Sequence, residues 1–86
     1  MRRRLSPRVQ ALASELGRLD ADREDAAERG GLAALRAAAS TDPADVGWHL
    51  EAADEADYET RLLDAGIADG EARLDAEIDR PRWRRR

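Results

Sequence analysis

The sequence predicts an all-α protein folded as an antiparallel helical hairpin, and three observations lead to that prediction. The first is composition: alanine supplies 18 of the 86 residues, whereas valine, isoleucine and the aromatic residues, which favour strands, number seven together. The second is a pair of proline-marked helix starts, and the third is a heptad repeat of apolar residues behind each start. A chain of this length forms one domain at most.

The first helix is predicted to begin at Pro7, with Ser6 as its N-cap. Around this start a series that is apolar except for Arg23 recurs at alternating steps of four and three, the spacing of a coiled-coil seam: Leu5, Val9, Leu12, Leu16, Leu19, Arg23 and Ala26. The adjacent Gly30 and Gly31 each cost about 1 kcal/mol relative to alanine in a helix interior. We therefore predict a kink or break there, with helices over about 7–29 and 32–40.

The second long helix is predicted to begin at Pro43, behind an Asp42 cap, so that the chain reverses between Ser40 and Pro43. One series of residues spaced by seven and a second series on the same side form its seam: Val46, Ala53, Thr60, Ile67 and Leu74, with His49, Ala56, Leu63 and Gly70. The register passes Gly66 and Gly70 unbroken, which predicts one helix over about 43–80. Two such arms joined by a tight turn form a hairpin.

A second apolar stripe on the 43–80 helix, expected roughly opposite the seam, consists of Trp48, Glu55 and Leu62 and is flanked by Ala52, Tyr58 and Ala65. A hairpin uses one apolar face of each helix, so this stripe needs another partner. Either the 32–39 segment folds back over it, or another chain covers it. We favour another chain and predict a homo-oligomer with Trp48, Tyr58 and Leu62 at the interface, since small domains commonly oligomerise to enlarge their core.

The charges divide the chain into a basic N-terminal arm (1–6), the hairpin domain (7–80) and a basic C-terminal tail (81–86). Residues 9–79 carry all 19 acidic residues and six arginines, a formal charge of −13, while the remaining nine of 15 arginines lie at the two ends. Such ends are typical of contacts with phosphates or acidic protein surfaces, although solvated tails that only aid solubility are the alternative. The predicted contact residues are Arg82, Trp83, Arg84, Arg85 and Arg86, with Arg2, Arg3 and Arg4.

Catalysis and cofactor binding are not expected. There is no cysteine, and the one histidine, His49, lies on the seam without a nucleophile at helical spacing. Spacings typical of calcium, di-iron, zinc or phosphate sites are missing, and a small-molecule substrate is not expected. Lysine and asparagine are absent and Gln10 is the one glutamine, which argues against sequence-specific DNA reading. No apolar run spans a membrane, so we expect a cytoplasmic protein without membrane contact.

In architecture, the paired seams, the Trp48–Leu62 stripe and the basic tail resemble the oligomerisation region of phage-type small terminase subunits, over most of the chain. The resemblance implies rings of helical hairpins whose tails contact DNA and a packaging motor. The chain departs from that family in having no separate N-terminal helix-turn-helix domain. The favoured function is a non-enzymatic self-assembling adaptor. Two alternatives stay open: an acidic helical inhibitor or antitoxin-like binder that mimics nucleic acid or covers a basic site, and a generic assembly-chaperone subunit.

Overall fold

The computed structural model describes residues 6–79 and shows an all-α antiparallel hairpin. Helix α1 comprises Pro7–Ala39 and helix α2 comprises Pro43–Ile78, and the two pack against each other along their length. At 1.5 Å per residue the helices are about 50 and 54 Å long. No strand occurs within residues 6–79. The predicted fold class is therefore confirmed, and the predicted single second helix ends at Ile78 rather than near residue 80.

Side-chain caps define both helix starts and the turn between the helices. The Ser6 hydroxyl accepts a hydrogen bond from the Val9 N–H at 3.2 Å, and the Asp42 carboxylate accepts one from the Ala44 N–H at 3.0 Å. At the end of α1, the Ser40 hydroxyl donates to the carbonyl of Arg36 at 2.8 Å. Each bond satisfies a backbone group that a helix end leaves without a partner. The chain reversal lies where the two proline-marked starts predicted it.

The predicted break at Gly30 and Gly31 is wrong, because α1 continues through both residues as one helix. Gly30 lies in the helix-helix seam, and a methyl group in place of its hydrogen would come within 3.3 Å of the Ala56 Cβ. The seam then continues in the same heptad register through Ala33 and Ala37, both buried. Packing against α2 therefore outweighs the roughly 1 kcal/mol cost of each glycine.

The seam has two parts that differ in side-chain size. Near the turn it buries alanines of both helices, namely Ala26, Ala33, Ala37 and Ala56. Toward the open end, leucines of α1 lie against glycines of α2: a Cβ at position 70 would be 2.7 Å from the Leu16 Cδ2, and one at position 66 would be 3.8 Å from the Leu19 Cδ1. Gly66 and Gly70 thus leave room for leucine side chains without interrupting α2.

Three ion pairs link the helices across the edges of the seam. Arg8 and Glu77 are joined at 3.1 Å, Arg23 and Asp64 at 2.5 Å, and Arg29 and Glu59 at 2.6 Å. The arginines become more C-terminal along α1 as the acids become more N-terminal along α2, as an antiparallel register requires. Arg23, the polar member of the first heptad series, reaches Asp64 from a half-buried position.

Candidate interaction surface

A groove of about 350 Å³ lies between the two helices near the turn. Leu32 and Arg36 of α1 form one rim, and Trp48 and Glu55 of α2 form the other, with Ala33 among the small residues between them. Alanines between the rims let the two helices approach closely. As a result, one rim from each helix borders the same hollow. The groove is therefore a product of the alanine part of the seam.

The apolar side chains of this face are largely uncovered. Trp48 is 71% exposed, Leu62 is 55% exposed two turns beyond Glu55, and Leu32 is 43% exposed. Trp48 and Glu55 also border a second hollow of about 150 Å³ on α2, together with Glu51 and Ala52. An indole this exposed, beside a concave surface, is typical of sites where proteins contact partners.

The structure corrects two expectations about the stripe of Trp48, Glu55 and Leu62. Residues 32–39 do not fold back over it, because they extend α1 along the seam. Trp48 and Glu55 do not face away from α1 either, since both border the groove between the helices. Tyr58 is 63% exposed and lies outside both hollows, so the structure does not bring it together with Trp48.

The charged groups of the groove form two classes. Arg29 is engaged within the chain: it bonds Glu59 at 2.6 Å and Asp25 at 3.4 Å. The hydrogen bond to Glu59 and the attraction of that carboxylate raise the pKa of Arg29 above its ordinary value. Arg36 and Glu55, in contrast, form no ion pair among residues 6–79 although they line the same groove.

The remaining candidate groups show no arrangement for chemistry. His49 is half-buried at the groove, one turn after Asp45, and it has no ion-pair partner within the described chain. In residues 6–79, no group of three His, Asp or Glu side chains is placed to hold a metal ion. Neither described helix has a stretch long and apolar enough to cross a membrane. A third hollow, of about 370 Å³ on the side of Ala27 and Asp57, is lined mostly by alanine and glycine.

The predicted tail contacts, Arg82, Trp83, Arg84, Arg85 and Arg86 with Arg2, Arg3 and Arg4, lie outside the described residues. Sequence reasoning missed the contribution of α1 to the groove. A signal for it was present, because Arg29, Leu32 and Arg36 follow at steps of three and four and so share one side of a helix.

Comparison of the chain with protein-family models, with curated proteins and with solved structures finds no match. Function therefore has to be inferred from the surfaces of the hairpin and from the distribution of charge along the chain.

Proposed function

We propose that this protein is a non-enzymatic, self-assembling helical adaptor. A second copy covers the surface around Trp48, and the arginine-rich ends of the assembled copies contact nucleic acid without sequence specificity, or an acidic surface of a partner protein. The observation that carries the proposal is the 71% exposure of Trp48 at the rim of an interhelical groove, on a hairpin in which the fully buried apolar residues of the described chain are four alanines and one valine.

The small seam favours assembly on energetic grounds. Of the five buried apolar residues in the described chain, four are alanines and the fifth is Val9. Alanine burial contributes little free energy, and small scaffolds usually need a further source of stability. A second hairpin packed on the first would supply it by converting two helices into a four-helix core.

The magnitude of the Trp48 contribution shows what else the interface needs. A buried aromatic residue covers about 150–250 Å², so the exposed 71% of Trp48 corresponds to about 3–4 kcal/mol per copy at 25 cal/mol per Å². Two copies together reach about 6–8 kcal/mol, while association costs about 4–15 kcal/mol. The tryptophans alone therefore offset only the lower half of that range, and over the rest of it the leucines and charges beside them have to contribute as well.

The arginine-rich ends give the assembly its proposed role. Nine arginines flank a central segment of net charge −13. A single copy therefore offers few cationic contacts to nucleic acid, while its acidic central segment repels the phosphates. Several copies in one particle would multiply the ends and convert weak contacts into avidity. This arrangement matches the resemblance to small terminase subunits, and DNA packaging is the process that the resemblance suggests.

Assembly is tested by solution mass from light scattering at low and high salt. The particle mass of the wild-type protein is expected to exceed the 9.5 kDa of one chain. The double variant Trp48→Glu, Leu62→Glu should be monomeric with its helicity retained, because neither side chain belongs to the seam. Leu35→Glu is the control for placing a charge on an exposed leucine, since Leu35 is 68% exposed and belongs neither to the groove nor to the stripe of Trp48, Glu55 and Leu62. A wild-type protein that is monomeric at high micromolar concentration contradicts the proposal.

The role of the ends is tested by truncation after Asp79, which leaves α1 and α2 complete. Binding to a random-sequence DNA duplex should be weak, should fall steeply with salt and should be lost mostly on truncation, with helicity and particle mass unchanged. If the truncated protein binds DNA and its partner as tightly as the full chain, the acidic helical binder becomes the better explanation.

A further inference from the structure

The two rims of the groove carry opposite charges that find no partner within the hairpin. Arg36 on the α1 rim and Glu55 on the α2 rim both border the groove, and neither forms an ion pair among residues 6–79. A surface with an unpaired cation on one side and an unpaired carboxylate on the other is complementary to itself. Such self-complementarity is the property that a two-fold symmetric interface requires.

Resting on the proposed self-assembly, we propose that the groove is occupied by a second copy of this chain in a parallel two-fold dimer. In that dimer α1 of each copy lies against α2 of the other, Arg36 pairs with Glu55 of the second copy, and Trp48 packs against the last turn of the other copy's α1, beside Arg36. Each contact occurs twice, and four helices enclose one core.

The choice of a parallel dimer follows from the symmetry. When two hairpins stack groove to groove, a two-fold axis parallel to the helices places α1 over the other copy's α2, with both turns at the same end. A two-fold axis perpendicular to the helices instead places α1 over the other copy's α1, which would bring the two Arg36 rims together. The opposite charges of the rims therefore favour the axis parallel to the helices.

The register of the hairpin makes the proposed ion pairs reachable. A Cβ at Gly30 would touch the Ala56 Cβ, so Arg36, six residues further along α1, stands near position 50 of α2. Glu55 lies five residues from that level, about 7–8 Å along the axis at 1.5 Å per residue. A parallel two-fold dimer keeps equal levels side by side, which leaves the gap within the combined reach of an arginine and a glutamate side chain.

Charge reversal tests the pairing through the dimer dissociation constant, measured by analytical ultracentrifugation. Arg36→Glu and Glu55→Arg should each raise the constant at least tenfold, because each variant puts two like charges opposite each other, and the double variant should recover most of the loss. Arg61→Glu is the control of equal charge change, since Arg61 pairs with Asp57 within α2 and lies outside the groove. Dimers insensitive to the reversals, or a double variant weaker than both single variants, would overturn the inference.

Orientation is tested independently with spin labels toward the open end of the hairpin, far from the groove. The chain has no cysteine, so Ser14→Cys carries one label per copy. Helices in contact are 8–10 Å apart, so a parallel dimer should give a label distance of about 10–20 Å. An antiparallel dimer joined at the grooves would separate the labels by about 55 Å, because Ser14 lies about 18 residues from the middle of the groove and each residue adds about 1.5 Å. That distance would refute this inference while leaving self-assembly intact. A wild-type protein that never dimerises refutes both proposals.

Discussion

Gly30 and Gly31 are neighbours in α1 that differ in what an added side chain would meet. At Gly31 a Cβ would have no other atom within 4 Å, whereas at Gly30 it would lie 3.3 Å from the Ala56 Cβ. The pair therefore tests how closely the helices approach while the local sequence stays almost constant. Replacing each glycine by alanine is the smallest change that separates the two environments.

Helix propensity favours alanine over glycine by about 0.8–1.0 kcal/mol at both positions. Gly31→Ala should realise this gain and raise the melting temperature by about 4–8 °C. Gly30→Ala gains the same propensity, but its methyl group forces the seam apart by a few tenths of an ångström, and overpacking typically costs about 1–3 kcal/mol. The expected net effect at Gly30 lies between zero and a destabilisation of about 2 kcal/mol.

The measurement is thermal and urea unfolding followed by circular dichroism. All variants are compared at one protein concentration, because the proposed self-association would add to the apparent stability. Leucine enlarges the contrast: Gly31→Leu should remain near or above wild type, whereas Gly30→Leu should lose the hairpin packing. Equal stabilisation by alanine at both positions would show that the helices are not in close contact at Gly30, and the account of the alanine seam would be wrong.

Two further predictions concern the turn and the open end. Asp42→Ala should lower the free energy of unfolding by about 1 kcal/mol in urea titrations, because the Ala44 N–H loses its acceptor at 3.0 Å, and Asp42→Asn should retain most of it. Gly70→Leu should destabilise by about 1–3 kcal/mol since its Cβ would lie 2.7 Å from Leu16 Cδ2. Gly17→Leu is the control, because a Cβ at Gly17 meets nothing within 4 Å; equal effects at both positions would contradict the packing of Leu16 on Gly70.

Most of the fold could be predicted because its signals are local. Ser6 and Asp42 mark the helix starts because each side-chain oxygen accepts a hydrogen bond from a backbone N–H only two or three residues away. The heptad series of α2 keeps its register past Gly66 and Gly70, and α2 is one helix there. The failure at Gly30 has a physical reason: helix propensity measures the isolated helix, whereas Gly30 is retained against a neighbouring helix. Its position seven residues after Arg23 continues the heptad register and indicates the seam, whereas helix propensity takes no account of a neighbouring helix.

The candidate site was predictable only in part, for a related reason. The apolar character of the stripe follows from Trp48 and Leu62 as residue types, and their exposure is observed in the structure. Which side of the hairpin they occupy depends on the rotation of α2 relative to α1, and the assumed break at Gly30 detached Leu32 and Arg36 from that helix. Once α1 is continuous, these two residues join Trp48 at one groove.

The alanine seam and the exposed groove have a common physical origin. Small side chains at Ala33 and Ala56 bring the helices close, which narrows the hairpin and leaves it little apolar area of its own to bury. The same close approach places Leu32 and Trp48 around one groove, so the apolar side chains that the seam does not bury lie together on one face of the hairpin. In the proposed dimer, folding and assembly would be coupled in free energy, because the second copy would supply the burial that the monomer lacks. Substitutions in the groove should therefore reduce stability and particle mass together, whereas substitutions in the arginine-rich ends should affect neither.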